Sequence, residues 1–330
     1  MRLSVLDQSP VPEGSTGAEA LANTVDLARL TDGLGYHRYW LAEHHGGPSL
    51  AGPSPEALTG PVAAATSRIR VGSGGVMLPH YSPFKVAENF SLLAGLYPGR
   101  IDLAIGRASG TDPLTTYALQ RDRREVAPDD FPQQLAELLA HYDGTFPADH
   151  PFARLGRSFP GGEERPEIWL LGSSAQSAVW AAQLGLPYAF ADFINPRGAE
   201  IVASYRKRAA EPRTAIGVWA ICAETDAEAE LLATSIAMSF AMLRQGRPIA
   251  VPTPERASRY LAQHGDPASG RRRIVGSPET VRAGIEAVAA EYGTDEVILV
   301  TITHDHAARR RSYELIADAF GLRAPTARAA

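Results

Sequence analysis

Short apolar runs alternate with longer amphipathic stretches from one end of the chain to the other. A continuous apolar run of strand length marks a strand buried on both faces. Apolar residues recurring every three or four positions mark a helix with one buried side. By these rules the chain predicts strands at Leu3–Leu6, Arg38–Ala42, Ile69 to Met77-Leu78-Pro79, Ile101–Ile105, Ile168–Leu171, Tyr188–Ala191, Ile216–Cys222 and Val297–Val300. Helices fall between them. The first runs near Glu19 to Leu34, with Leu21, Val25, Leu27 and Leu30 on one face and Gly35 just past its end. Ser54-Pro55-Glu56, Ser82-Pro83 and Ser277-Pro278-Glu279 each read as a hydroxyl cap with proline at the first helical position. Further helices are expected near Pro132 to His141, from Ser173 to Leu184, in a long insertion over roughly Asp226 to Leu261, and over about Ala308 to Phe320. The tail from Arg323 to Ala330 reads as frayed.

Eight such alternations predict an α/β fold of the (β/α)8 TIM-barrel type, with a doubly wound parallel sheet as the competing arrangement. There is no internal repeat and no Pro/Ser-rich linker, so residues 1–330 are expected to form a single barrel domain. The loop after strand 4 and the stretch before strand 8 are its insertions.

Composition narrows the function. With 330 residues, 45% of them hydrophobic, the chain can bury a large core. Its net charge is −5 without a single-sign half, which argues against nucleic acid or an anionic membrane surface as partner, since both require clustered cations. The runs Arg271-Arg272-Arg273 and Arg309-Arg310-Arg311 read as solvated faces. No apolar stretch approaches the ~20 residues of a membrane helix, and the start is too short and too soon acidic for a signal peptide, so a cytoplasmic protein is expected. The lone cysteine, Cys222, excludes an internal disulfide and a cysteine-based zinc site; its apolar run predicts a buried thiol.

Chemistry collects where strands end. In parallel α/β folds the carboxyl ends of the strands open onto the ligand-binding rim. These ends carry Asp7-Gln8-Ser9-Pro10, Glu43-His44-His45, Gly74-Gly75-Val76-Met77, Gly106-Arg107, Gly172-Ser173-Ser174 and Asp192-Phe193-Ile194-Asn195. The stretch Gly172 to Ser177 joins a strand directly to a helix, where free N–H groups and hydroxyls can hold a phosphate; an ordinary serine cap has the same appearance. Arg107 at the neighbouring strand end favours the anion. Gly74-Gly75 inside a strand suits a kink or the approach of a flat ligand. The glycine fingerprint of dinucleotide folds and Gly-Lys-Ser/Thr are both missing, which disfavours a nicotinamide site and a P-loop.

In order and spacing, the segments Trp40 to His45, Val71 to Pro79 with Ala87-Glu88, Gly99-Arg100 ahead of Gly106-Arg107, Gly172 through Ser177 to Ala182, Gly185-Leu186-Pro187 and Gly276 to Glu279 are those of a known family. The chain resembles the bacterial luciferase-like flavin-dependent monooxygenases over essentially its whole length, and especially their single-chain members, including those of antibiotic pathways. The resemblance implies a barrel that binds reduced FMN, which reacts with O2 to give a flavin C4a-peroxide. It implies catalytic importance for His44, a non-prolyl cis peptide at Gly74–Gly75 beneath the flavin ring, and a ribityl phosphate held by Arg107, Ser173, Ser174 and Ser177. It places Asp192 and Phe193 on the ring or substrate side. On this reading His44 exchanges a proton near the flavin, with Glu43 or a backbone carbonyl fixing its tautomer.

Two departures from luciferase stand out. Its reactive cysteine is Gly106 here, and bulky residues after it are replaced by Ala108-Ser109-Gly110, which suggests a roomier pocket for a larger, polycyclic substrate. Aldehyde oxidation and light emission are therefore not expected. The loop from Gly106 to Asp130 is the expected lid. With no nicotinamide site in the chain, reduced flavin is expected from a separate NAD(P)H:flavin reductase; the remaining partners are O2 and a small organic substrate. The second helix offers small residues (Leu58, Val62, Ala63, Ala64, Ala65) for the homodimer contact the family implies. Competing readings are an F420-dependent oxidoreductase of the same superfamily, a non-catalytic flavin-binding protein, and a metal hydrolase using His44, His45 and Asp192. Chelation is awkward for the last, because adjacent residues of an extended segment point apart.

Overall fold

Strand pairing runs in a closed circle. The computed structural model describes residues 1–107, 111–120, 122–124, 129–266 and 271–323. Strands β1 (Arg2–Asp7), β2 (Arg38–Leu41), β3 (Arg70–Met77), β4 (Ile101–Gly106), β5 (Glu167–Gly172), β6 (Tyr188–Ala191) and β7 (Thr214–Cys222) each pair in parallel with the next. A short β8 (Ile274–Gly276) pairs only with the far end of β7, while β9 (Glu296–Val300) joins β7 to β1 and closes the ring. The eight-stranded barrel expected from the pattern is present, and β8 lies outside it.

Helices α1 (Gly17–Leu34), α2 (Pro55–Ala64), α3 (Pro83–Leu96), α4 (Pro113–Leu119), α5 (Phe131–Asp143), α6 (Ala175–Gln183), α7 (Ala199–Arg208), α8 (Asp226–Arg244), α9 (Pro254–His264), α10 (Pro278–Tyr292) and α11 (His306–Ala319) connect the strands. The insertion after β4 contains α4 and α5; that before β9 contains α8, α9 and β8. Alternation along each strand sorts the side chains. Leu3, Val5, Tyr39, Leu41, Val71 and Leu103 face the helices, while Leu6, Trp40, Ala104, Trp169, Ala215 and Ile298 fill the interior. None of the described helices is long and apolar enough to cross a membrane.

The amino ends of the strands are closed by charge. Arg38 is buried, with Nη1 2.8 Å from Asp102 and 2.6 Å from Glu167, and Nε 2.9 Å from Glu296. Asp102 also accepts from Trp40 Nε1 at 2.9 Å and Arg70 Nε at 2.8 Å. Despite partial burial, the guanidinium of Arg38 and its neighbours hold the Glu167 carboxyl down at about 2. This buried ionic network closes the interior from below.

Several local expectations are corrected. The long helical insertion is two helices, because Gly246, Pro248 and Pro252 break the pattern. α7, α4 and β8 were not anticipated. Ser54 and Ser82 make no side-chain cap; Ser54 Oγ donates to Glu56 instead, whereas Ser277 does cap α10. Apart from Arg271, the arginine runs are ion-paired rather than simply solvated. Arg309 is 2% exposed and donates to Asp7 at 2.7 Å, Arg310 pairs with Asp26 and Arg311 with Glu224. Arg272 and Arg273 pair with acids too. On α2, Val62 and Ala63 are buried in the chain's own core and so are not part of a free face. Cys222 is buried as expected, its thiol pushed up to about 12 by burial. Residues 324–330 of the expected frayed tail lie outside the described residues.

Candidate functional site

The parity of β2 decides what its end presents. Trp40 and Ala42 face the interior, so His44 continues on the inward side, next to Gln8, which follows Leu6 on the inward side of β1. His44 Nε2 lies 3.3 Å from Gln8 Nε2, and the His44 backbone N–H donates to Gly52 at 3.0 Å. Glu43 and His45 share the other side, so Glu43 does not orient His44. Its partner is His45, whose Nε2 stands 2.7 Å from Glu43 Oε1.

Glu43 is 1% exposed, and burial raises its pKa above the ordinary range. Opposing that shift, its carboxylate also accepts the Met77 N–H at 2.9 Å and a hydrogen bond from Tyr81. The His45 ring meets His80 edge-on at 5.8 Å. Glu43, His45 and Tyr81 thus tie the end of β2 to the end of β3. Tyr81 carried no signal in the sequence, because its partner lies on another strand end.

At β3 the Gly74–Gly75 peptide is cis, as the resemblance implied. Pairing with β4 slips between Gly74 and Val76, leaving Gly75 as a bulge. A Cβ on Gly74 would stand 2.7 Å from Leu6 and from Trp40, and one on Gly75 would stand 2.5 Å from the Ala104 carbonyl. Interior packing therefore demands both glycines and leaves backbone, not side chains, at this part of the rim.

The next strand ends carry the anion-binding features. Arg107 follows β4, its guanidinium 5.8 Å over the ring of Trp180 on α6 and 2.7 Å from Asp129. Both members of that ion pair are exposed, so it is readily exchanged. Ser174 is the N-cap of α6, accepting from the Ser177 N–H at 3.3 Å. Ser174, Ala175 and Gln176 are exposed, and first-turn N–H groups have no intrahelical acceptor. The Ser173 carbonyl accepts from Asn195, tying this turn to the β6 loop.

Two expected ligands point elsewhere. The Ser177 hydroxyl is turned inward, donating to the Ser174 carbonyl at 2.8 Å and bonding Tyr188 at 2.9 Å. Asp192 is 1% exposed; it accepts from Tyr292 at 2.6 Å and faces Arg272 Nε at 3.1 Å, which anchors the β6 loop to the outer layer. Burial raises the pKa of this carboxyl even so. His44, His45, Glu43, Gly74, Gly75, Arg107, Ser173 and Ser174 do share the rim.

The β6–β7 side of the mouth is aromatic. Phe193 stacks on the inward-facing Trp219 with 12° between planes, and Phe240 of α8 meets Trp219 edge-on at 5.9 Å. Arg271 lies 3.9 Å over Phe240 and donates to the Phe193 carbonyl. Across the mouth, α4 rests on the β2 loop: Thr111 Oγ1 donates to the His45 carbonyl at 2.8 Å, and Asp112 caps the helix. The expected lid is thus partly helical where described; Ala108, Ser109 and Gly110, which carried the expectation of a roomier pocket, lie outside the described residues.

The profile of the luciferase-like monooxygenases matches residues 1–296. The luciferase-like monooxygenase of Escherichia coli (strain K12) is 40% identical, covering 96% of each chain. The N-acetyl-S-alkylcysteine monooxygenase of Bacillus subtilis (strain 168) is 39% identical over 97% of this chain and 98% of its own. The solved structure of apo-MsnO8 superposes with a TM-score of 0.89 at 42% identity, covering 97% of this chain and 98% of that one. A (β/α)8 barrel with its chemistry gathered on the carboxyl rim, matched by these relatives nearly end to end, makes this chain a member of the luciferase-like monooxygenase family.

Proposed function

We propose that the protein is an FMN-dependent monooxygenase that takes externally reduced FMN and O2 and oxygenates a small organic substrate. The observation that carries this reading is that Arg107 packs over Trp180 of α6 beside the helix's exposed N-terminus, where Ser173 precedes the N-cap Ser174 and the first-turn residues Ala175 and Gln176. A dianionic phosphate suits that site: the guanidinium offers a bidentate contact and the N–H groups complete it. The fit rests on donors already present, since only the exposed Asp129 has to give way.

When bound, reduced FMN supplies the electron pair that activates O2. The protein's own residues do the rest. His44, on the inward side beside Gln8, holds and moves a proton at Nε2 or Nδ1. Glu43 positions His45 rather than His44, and with Tyr81 fixes the loop from which both imidazoles project. Backbone at Gly74–Gly75 lets a planar ring approach. The segment Thr111–Leu119 covers the mouth from the β2 side and limits water access.

Reduced flavin is taken to come from a separate NAD(P)H:flavin reductase, and the cell compartment to be the cytoplasm. A homodimer is part of this reading. Its contact would use α3, where Leu92 and Leu96 are 48% and 62% exposed, rather than the buried Val62 and Ala63 of α2. Light scattering tests it.

The deciding experiment supplies a flavin reductase, NADH, FMN and ¹⁸O2 to the purified protein with a panel of thioethers, ketones and aromatic metabolites. The reading expects one ¹⁸O atom in a product. Hydride transfer from reduced F420 without oxygen incorporation would replace it with the deazaflavin alternative. Oxygen uptake with no oxidised product would favour a flavin-binding protein.

A further inference from the structure

The aromatic side of the mouth holds a cation that the flavin reading leaves unused. Arg271 is half-buried between Phe240, 3.9 Å from its guanidinium carbon, and Trp219, at 5.9 Å. Among the described residues its polar partner is the Phe193 carbonyl, which accepts from Nη1 at 3.1 Å, and a guanidinium carries five N–H donors. Among the described residues no carboxylate stands within ion-pair distance of it, although its neighbours are paired: Arg272 with Asp192 and Glu291, and Arg273 with Asp266. Burial, and to a lesser degree the like charge of Arg244, depresses the Arg271 pKa.

A second donor belongs to the ring beside it, whose centroid lies 5.9 Å from the Arg271 guanidinium carbon. Trp219 belongs to the interior-facing set of β7, and its Nε1 is buried without an acceptor among the described residues. A buried donor without a partner is costly, so such a group marks a place where a ligand acceptor is wanted. Phe193, stacked on Trp219 with 12° between planes, and Phe240 supply flat apolar walls.

We propose that Arg271 and Trp219 Nε1 form a subsite for the carboxylate of an amphiphilic substrate, whose apolar or aromatic portion lies along Phe193 and Phe240. The substrate class is then an organic acid with an apolar body. This inference rests on the monooxygenase reading for its chemistry, yet it is tested by binding alone.

The probes are 4-phenylbutyrate and its neutral amide, 4-phenylbutyramide, titrated into the full chain with and without saturating FMN. Isothermal titration calorimetry reports occupancy. A charge-assisted pair predicts that the acid binds about tenfold or more tighter than the amide. In Arg271→Gln that preference falls to near unity, while Arg271→Lys keeps part of it and FMN affinity stays within about twofold of wild type. Equal binding of acid and amide to the wild-type chain, or binding of neither, overturns the proposal without any variant. A loss of FMN affinity in Arg271→Gln matching the loss of acid affinity overturns it too, by assigning the arginine to the cofactor. Failure of the wild type to bind FMN sinks the flavin reading instead, and the acid–amide comparison on the flavin-free chain still decides this one.

Discussion

His45 Nε2 stands 2.7 Å from Glu43 Oε1, although His44 precedes it in the chain and lies nearer the interior. The two imidazoles therefore have different neighbours: His45 a buried carboxylate, His44 the amide of Gln8. Burial raises the Glu43 pKa above its ordinary 4.5. A carboxyl whose pKa is raised by folding contributes stability that is fully present below the unfolded value and is lost as pH rises through the folded one. Glu43→Gln lacks that titration. Its melting temperature relative to wild type is expected to rise as pH increases from about 4.5 toward neutrality. A difference that is flat with pH in differential scanning fluorimetry contradicts this.

If His44 handles the proton, His44→Ala loses about 10²- to 10⁴-fold in product formation with chemically reduced FMN supplied, while FMN affinity is retained. Unchanged product yield removes His44 from the chemistry. A parallel loss of FMN affinity would make it a binding residue instead.

The base of the barrel depends on charge. Asp102 is fully buried and receives Arg38, Arg70 and Trp40. Asp102→Ala leaves two guanidinium groups short of their partner and is expected to cost about 3–5 kcal/mol in urea unfolding. A cost under about 1 kcal/mol would mean that Glu167 and Glu296 suffice without it.

Gly46 has φ 71°, and a Cβ there would stand 2.5 Å from Thr115 Oγ1 of α4. Gly46→Ala should push α4 off the β2 loop. Faster proteolysis between residues 106 and 130 and more H2O2 released per O2 consumed are expected. Adding Thr115→Ala should recover part of both. If neither readout moves, the segment is a passive loop.

Much of the fold is legible in the chain because a parallel barrel buries both faces of its strands, so β6 and β9 read as continuous apolar runs. α7 escaped notice because only Val202 and Tyr205 of its ten residues are buried, and β8 because three residues make no pattern. The rim residues of the site were legible because strand ends are visible in sequence. What each touches was not: Arg309 finds Asp7 across 302 positions, and Asp192 finds Tyr292 across 100. Ser177 has the spacing of a phosphate ligand, yet Tyr188 draws its hydroxyl inward. Glu43 and His45 are the exception. Their two-residue spacing puts them on one side of an extended segment, and that alone could have separated His44 from the carboxylate.

The proposed FMN site depends on the anion seat at Arg107 and α6. Titration of FMN against riboflavin, which lacks the phosphate, measures that seat alone. FMN is expected to bind about tenfold or more tighter than riboflavin in the wild type and in Ser177→Ala, with the preference nearly abolished in Arg107→Ala. Equal affinities for FMN and riboflavin in the wild type, or a preference that survives loss of Arg107, would contradict it.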